Sequence, residues 1–215
     1  MKALALDTAS MRVTVAAKDG DKTASVTLAL GTHQSKKLLP AVIYVLEQAG
    51  FPPESLDYAA VTGGPGSFTS LRLGFAAAKA LCLACNVPVY AVPTLAAYAE
   101  PFRAWKSAVV PALDAKRNRF YAAVYRLGKA ARAAGDYAPE ELALFLDAEE
   151  PVIAAGPDAA LLQERLLSCK PLLDVRAAPA SSAEALFALA ERMIARGDAP
   201  CAEDAAPEYL RGARD

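Results

Sequence analysis

The stretch ALDTASMRVTVAA, residues 5–17, has a gap-free counterpart later in the chain, ALDAKRNRFYAAV, residues 112–124. Both begin with Ala-Leu-Asp, and an arginine follows at the same distance in each, at Arg12 and Arg119. Each stretch has the pattern of a short strand, a turn and a second strand. The match indicates that the chain contains two equivalent halves.

The elements after each stretch follow a similar order. In the first half the predicted strand SVTLAL (25–30) is followed by a helix from about Ser35 to Gly50. The buried strand YAAVT (58–62), a helix over 69–85 and another buried strand, VPVYAV (87–92), come next. In the second half PVIAAGPDAALLQERL (151–166) repeats the order strand, glycine, proline, helix. We therefore predict an α/β protein with a duplicated βββαβα unit, the actin-like (ASKHA, ribonuclease H-like) fold with two lobes.

The lobes are expected at residues 1–105 and 106–215. Residues 128–150 are predicted as a loop with a helix near 139–146. A further helix is predicted over 181–198, with Ser181 or Ser182 as N-cap and Gly197 at its end. We expect this helix to pack back towards the first lobe.

Composition excludes several classes of protein. The 215 residues are 54% hydrophobic and carry a net charge of −1, which gives no overall attraction for nucleic acid. No secretory signal is visible, and charged and proline residues interrupt the most apolar stretch, so no membrane span is expected. Four cysteines in a chain of this size fit a reducing cytoplasm without a disulfide framework.

The sequence offers little for metal or nucleophilic chemistry. Cys82 and Cys85 form a CxxC pair, but a zinc site needs two more ligands, and His33 is the one histidine of the chain. Core packing is therefore favoured over metal binding for these cysteines. The single histidine also argues against Ser-His-Asp and Cys-His catalysis.

The loop GGPGSF, residues 63–68, has two interpretations. Its glycines and the following helix start could hold an anion, so Gly66 and Ser67 are nucleotide candidates. Alternatively, Ser67 or Thr69 caps the helix and the glycines let it lie close to the sheet. The loop lacks the Gly-Lys-Ser/Thr ending of a Walker motif, and we favour the second interpretation.

The turn after the first strand has a similar pair of interpretations. Asp7, Thr8 and Ser10 lie at a turn that approaches nucleotide phosphates in actin-like proteins. The structural alternative is an Asx-type turn formed by Asp7 and Thr8.

The two helices of the first half carry more apolar surface than packing on one sheet requires. The helix at 35–48 has two apolar rows, and the helix at 69–85 has only two charges, Arg72 and Lys79, on nearly the same face. Burial within one domain would explain this surface. The alternative is a helical interface with another chain, in which small alanines permit close approach.

Several motifs resemble the TsaB (YeaZ) family. They are LALDTA, SKKLLP, GGPGSFTSLRLG, PVYAVPTL, LDAKRNRFYAAVY and PEYLR (207–211), and they cover nearly the whole chain in order. Two positions depart from the family pattern. Ser70 stands where glycine is usual, and Gln34 stands where a histidine is common.

The resemblance implies a noncatalytic subunit that binds TsaD in the machinery that forms N6-threonylcarbamoyladenosine next to the anticodon of tRNAs reading codons that start with A. It further implies TsaE as an ATP-binding component, a homodimer when the chain is alone, ATP or ADP at the partner interface, and tRNA contacts made mainly by the partner. The interface expected on the two helices comprises Leu38, Leu39, Val42, Val45, Leu46, Leu71, Arg72, Phe75, Ala77, Ala78 and Leu81.

Two other functions stay open from the sequence. A small phosphotransferase or ATPase of the sugar-kinase type would hold a nucleotide with Asp7, Thr8 and Gly66. A protease is the third possibility, since relatives have been labelled glycoproteases, although the sequence offers no nucleophile and base pair.

Overall fold

The computed structural model describes residues 1–29, 31–178, 183–202 and 204–210. The chain divides into two compact units. Unit 1 is Met1–Thr94 with Ser182–Glu208, and unit 2 is Leu95–Ser181 with Tyr209–Asp215. The division after Thr94 comes earlier than the expected residue 105, because Ala99, Phe102 and Trp105 pack against strands of the second sheet. The helices are α1 (Gln34–Ala49), α2 (Phe68–Cys85), α3 (Thr94–Ala99), α4 (Pro139–Ala143), α5 (Ala159–Cys169) and α6 (Ala183–Arg196).

Unit 1 contains a five-stranded mixed sheet. Its strands are β1 (Lys2–Asp7), β2 (Arg12–Asp19), β3 (Lys22–Ala29), β4 (Tyr58–Thr62) and β5 (Val89–Val92). The strand order is β3-β2-β1-β4-β5. The first three strands form an antiparallel meander, and β4 and β5 run parallel to β1. The predicted meander and the two buried strands are therefore present.

Unit 2 contains a second five-stranded sheet with the same order. Its strands are β6 (Val109–Lys116), β7 (Arg119–Arg126), β8 (Lys129–Tyr137), β9 (Val152–Ala155) and β10 (Val175–Ala178). They lie in the order β8-β7-β6-β9-β10, with β6, β7 and β8 antiparallel and β9 and β10 parallel to β6. The duplication predicted from the two Ala-Leu-Asp stretches is thus confirmed.

The prediction of a loop over residues 128–138 was wrong. Residues Lys129–Tyr137 form the edge strand β8, although the helix predicted nearby is present as α4. The sequence KAARAAGDY has no β-branched residue, and its first six residues are exposed. Because both faces of this strand meet solvent, its sequence carries no alternation of apolar and polar residues.

Unit 1 has helices on both faces of its sheet. The core on one side joins Leu4, Leu6, Val13 and Val15 of the sheet to buried residues of α1 and α2. Helix α6 packs against β1, β4 and β5. Glu191 of α6 accepts a hydrogen bond from the Tyr58 hydroxyl at 3.1 Å and pairs with Lys18. The Ser181 or Ser182 cap predicted for α6 lies outside the described residues.

Helix α2 is the one helix among the described residues that is long and apolar enough to cross a membrane. In this structure it is an element of unit 1. Leu71, Phe75 and Ala78 are buried on it, and Arg72 and Lys79 interrupt its apolar surface.

Candidate protein-interaction site

The GGPGSF loop packs closely against backbone atoms of two other segments of the chain. At Gly66, an added Cβ would lie 2.6 Å from the carbonyl oxygen of Ala9. The N–H of Ser67 donates a hydrogen bond to that same carbonyl at 2.8 Å. The glycine therefore allows the loop to lie directly on the β1–β2 turn, as the packing interpretation predicts.

The other end of the loop contacts the C-terminal segment. Gly64 has a φ of +113°, and an added Cβ would lie 2.2 Å from the carbonyl oxygen of Glu208. The N–H of Glu208 donates a hydrogen bond to the Gly63 carbonyl at 2.8 Å. Upstream in the same segment, the N–H of Cys201 donates to the Val89 carbonyl of β5 at 2.7 Å. The segment thus runs along the free edge of β5 and ends on the loop.

The turn after β1 forms an Asx-type turn. The Asp7 Oδ1 accepts a hydrogen bond from the N–H of Ala9 at 3.0 Å. Ser10 Oγ accepts a hydrogen bond from the N–H of Arg12 at 3.1 Å. Asp7 is 5% exposed and Thr8 is fully buried, so the protein itself encloses both side chains in this structure.

Thr8 instead fixes the distance between the turn and α2. Its Oγ1 would lie 2.2 Å from a Cβ at Gly74, so this helix position has no room for a side chain. Ser67 occupies the N-cap position of α2, but its side chain forms no capping hydrogen bond, contrary to the expected cap. The start of α2 is held by backbone contacts.

Seven of the eleven expected interface residues belong to the core of unit 1. Six of them pack in the cluster that contains the sheet residues Leu4 and Val15, and Leu71 is fully buried as well. The six are Leu38, Val42, Val45, Leu46, Phe75 and Ala78. Ala77 and Leu81 are partly buried and pack against the same core. In this structure these side chains pack within unit 1. Of the expected set, Leu39 and Arg72 remain exposed.

An apolar surface lies on the outer side of the same two helices. Leu39, Ile43 and Tyr44 on α1 are between 51% and 59% exposed, and Leu83 on α2 is 76% exposed. Further exposed residues of α2 follow one helical face, at Thr69, Arg72, Ala76, Ala80 and Ala84. Helices α1 and α2 contact each other, and these exposed residues of the two helices are here called the outer face. It consists of large apolar side chains beside small ones, a composition that permits close packing of further helices.

The two departures from the family pattern are both buried. Gln34 is 4% exposed, and its Nε2 donates a hydrogen bond to the Ser10 carbonyl at 3.0 Å. The first residue of α1 is thereby tied to the β1–β2 turn. Ser70 is 6% exposed and lies in the first turn of α2. Both residues therefore affect how the two helices begin.

No group of three His, Cys, Asp or Glu residues that could hold a metal ion occurs within the described ranges. Cys82 and Cys85 are partly buried and pack against the core of unit 1. His33 is exposed just before α1 and, among the described residues, forms no hydrogen bond with a serine or cysteine.

Comparison with known proteins identifies the family. The family model described as "TsaD: tRNA N6-adenosine threonylcarbamoyltransferase" matches residues 28–171. A solved Pseudomonas aeruginosa structure, an uncharacterized protein with similarity to peptidase YEAZ, is 30% identical, with a TM-score of 0.81 over 98% of this chain and 99% of that one. The chain belongs to the TsaB (YeaZ) family. The similarity to this YeaZ-type structure therefore extends over nearly the whole length of both chains.

Curated TsaB proteins agree with this assignment. The tRNA threonylcarbamoyladenosine biosynthesis protein TsaB of Bacillus subtilis is 31% identical over 59% of this chain and 56% of its own length. The protein of the same name from Escherichia coli is 34% identical over 59% of this chain and 55% of its own length. The chain thus spans about half the length of the curated TsaB relatives that it matches.

The predicted fold class is confirmed. The ethanolamine utilization protein EutJ of Carboxydothermus hydrogenoformans has a TM-score of 0.54 at 14% identity, a likeness that concerns the fold alone. Together with the YeaZ-type neighbour and the family model, it supports the actin-like, two-unit architecture of the TsaB family.

Sequence reasoning missed part of the outer face. The expected interface residues do not include Ile43, Tyr44, Ala76, Ala80 or Leu83. The signal that could have found them is the second apolar row of α1, which begins with Leu39 and Ile43 at a spacing of four. In the structure Leu39 and Ile43 of this row are exposed, whereas its third residue, Leu46, is buried in the core of unit 1.

Proposed function

We propose that the chain is a noncatalytic subunit that binds TsaD through the outer face of α1 and α2. The complex acts in the machinery that forms N6-threonylcarbamoyladenosine next to the anticodon of tRNAs reading codons that start with A. The names of the curated relatives and the family model support the pathway. The outer face supports the role of a binding partner.

The observation that carries this proposal is the exposure of four large apolar residues on two adjacent helices. Leu39, Ile43, Tyr44 and Leu83 each leave half or more of their surface in solvent, although the inner sides of the same helices form the core of unit 1. Clustered apolar side chains of this kind mark protein interaction sites. The exposed alanines Ala76 and Ala80 beside them let a partner helix approach closely.

The closed loop supports a role without catalysis by this chain alone. Asp7 and Thr8 are buried, and Gly64 and Gly66 are packed against Glu208 and Ala9. A kinase-like or ATPase function that depends on these residues would require the loop and the turn to separate. We accordingly propose that ATP or ADP binds in the assembled machinery at the interface with TsaD or on TsaE.

The remaining expectations belong to the same proposal. Without TsaD, the outer face pairs with a second copy of the chain, which gives a homodimer. TsaE joins as the ATP-binding component, tRNA is contacted mainly by TsaD, and the assembly works in the cytoplasm. The homodimer and the TsaD complex compete because both use the outer face.

The experiment compares two alanine-to-glutamate variants by size-exclusion chromatography with light scattering, in mixtures with TsaD from the same organism. Ala80→Glu introduces a charge in the outer face, whereas Ala195→Glu introduces the same charge at an exposed position of α6. Both are exposed helical sites in unit 1, so each change should alter the free energy of unfolding by less than about 0.5 kcal/mol.

We expect wild type and Ala195→Glu to form the complex and Ala80→Glu to lose it. An unpaired charge enclosed in an interface costs about 3–5 kcal/mol, which corresponds to a loss of affinity of more than about 100-fold. A complex that forms equally well with Ala80→Glu would contradict the proposed face. A wild-type chain that does not bind TsaD at all would contradict the proposed function.

A further inference from the structure

Helices α1 and α2 begin beside each other, at the same end of unit 1. Gln34, the first residue of α1, donates a hydrogen bond from Nε2 to the Ser10 carbonyl at 3.0 Å. Ser67, at the N-cap of α2, donates its N–H to the Ala9 carbonyl at 2.8 Å. Because Ala9 and Ser10 are neighbours in one turn, the first turns of both helices share one end of the outer face.

Three exposed cations lie at this end. Lys36 and Lys37 are in the first turn of α1, and Arg72 comes just after the first turn of α2. These three residues are here called the basic rim. Lys36 precedes Leu39 by three residues and Arg72 precedes Ala76 by four, spacings that place each cation on the side of its helix that carries the outer face.

The two helices do not neutralise the basic rim. Besides the rim, their sequences contain one more cation, Lys79, and one carboxylate, Glu47, in the last turn of α1. Glu208, whose backbone contacts the loop before α2, brings one further carboxylate to this end. Among the described residues Lys36 and Lys37 form no ion pair. Since the whole chain has a net charge of −1, the excess of positive charge is local.

The position of the two lysines is unfavourable for α1 itself. The N-terminus of a helix carries a partial positive charge, so cations in the first turn destabilise the helix and carboxylates stabilise it. Neither α1 nor α2 has an acidic residue in its first turn. Arg72 is held in one orientation, since its guanidinium carbon lies over the Phe68 ring at 3.8 Å from the centroid. Helix stability therefore does not explain Lys36 and Lys37, whereas a contribution to binding does.

We propose that the basic rim recognises a cluster of carboxylates on the partner chain that binds the outer face. This inference rests on the proposed function and adds the chemistry of the partner, whose matching surface is apolar at its centre and acidic opposite Lys36, Lys37 and Arg72. Complementary charges at the edge of an interface accelerate association and disfavour wrong partners. A second copy of the chain presents the same cations, and Glu47 is the one carboxylate of its two helices. The rim thus favours an acidic partner over self-pairing.

The test compares two charge reversals that change the net charge equally. Lys36→Glu reverses a cation of the basic rim, whereas Lys22→Glu reverses an exposed cation of β3, in unit 1 but outside the outer face. Surface plasmon resonance measures the rates of binding to TsaD at about 50 and about 500 mM salt, where the Debye length is about 14 and about 4 Å. Sedimentation equilibrium measures self-association, and thermal melts measure stability.

We expect Lys36→Glu to lower the rate constant of association with TsaD about five- to tenfold at the lower salt concentration and less than about twofold at the higher one. Lys22→Glu should follow wild type at both. Lys36→Glu should melt at or above the wild-type temperature, because a carboxylate suits the first turn of a helix. Binding and stability would then change in opposite directions, which a misfolded variant does not produce.

Three results would overturn the proposal. They are equal association rates of Lys36→Glu and Lys22→Glu, a loss in Lys36→Glu that is the same at both salt concentrations, and a homodimer that Lys36→Glu weakens more than it weakens the TsaD complex. The last result would assign the rim to Glu47 of a second copy.

The proposed function is checked in the same experiment with wild type and Ala80→Glu. If wild type binds TsaD and Ala80→Glu does not, the outer face stands even where the basic rim fails. If wild type does not bind TsaD, both proposals fail. A failure of the basic rim is therefore distinguishable from a failure of the partner-binding proposal.

Discussion

Helix α1 contributes both to the core of unit 1 and to the outer face, and the adjacent residues Leu38 and Leu39 belong to one side each. Leu38 is 2% exposed and belongs to the core of unit 1, whereas Leu39 is 59% exposed on the outer face. Leu38→Ala should lower the free energy of unfolding by about 2–5 kcal/mol, since it leaves a cavity. Leu39→Ala should change it by less than about 0.5 kcal/mol, because the side chain is largely in solvent.

The two substitutions should rank in the opposite order for TsaD binding, with the larger loss of affinity in Leu39→Ala. Full burial of a leucine side chain contributes about 1.5–3 kcal/mol, and the fraction of Leu39 still exposed, 59%, leaves roughly 0.9–1.8 kcal/mol for an interface. Leu39→Ala should therefore weaken the TsaD complex by about 4- to 20-fold. Leu38→Ala, measured at a temperature at which it is folded, should bind nearly as wild type does.

The assay pairs denaturant unfolding of the isolated chain with calorimetric titration into TsaD. Leu38→Ala should have the larger effect on unfolding, and Leu39→Ala should have the larger effect on binding to TsaD. If Leu39→Ala lost as much stability as Leu38→Ala, its side chain would belong to the core. If it kept full affinity while folded, the outer face would not be the binding surface.

Three further predictions concern unit 1. Gly74→Ala places a Cβ 2.2 Å from Thr8 Oγ1, so it should lower the free energy of unfolding by about 1–3 kcal/mol. In a double-mutant cycle, Thr8→Ala should recover part of this loss because it removes the clashing hydroxyl. Glu208→Pro removes the N–H that donates to the Gly63 carbonyl, so it should lower the free energy of unfolding by about 1 kcal/mol. It should also increase hydrogen exchange in the first turn of α2, and unchanged exchange there would contradict this prediction. Burial, followed by the charge of Glu191, raises the pKa of Tyr58 well above 10, so this tyrosine contributes stability below about pH 10 that is lost as the pH rises further. Denaturation midpoints of Tyr58→Phe should accordingly fall less at alkaline pH than those of wild type.

The duplicated fold could be predicted because both halves kept the same local signals. The two Ala-Leu-Asp stretches and the buried runs YAAVT and VIAA mark equivalent strands, and they occupy equivalent places in the two sheets. Strand β8 could not be predicted, because an alanine-rich edge strand exposed on both sides has no pattern of burial. Its hydrogen bonds to β7 depend on a distant sequence.

The candidate site was predicted at the level of helices but not of residues. The two apolar rows of α1 are visible in the sequence, yet nothing local tells which row faces the sheet. The row with Leu38, Val42 and Val45 faces the sheet, and Leu39 and Ile43 face outward. Likewise the glycines of the loop indicate close approach, but the approaching group at Gly64, Glu208, is far away in sequence.

The division of unit 1 into two chain segments has a consequence for synthesis on the ribosome. The sheet β1–β5 is complete at residue 92, but the helix that covers its second face, α6, begins only at Ala183. At about 5–20 residues per second, the roughly 90 intervening residues take on the order of 5 to 20 seconds to make. During that interval one face of the nascent sheet, which includes Tyr58 and Lys18, lacks its helix. The sheet of the second unit, β6–β10, is made within that interval and can form before α6 completes the first unit.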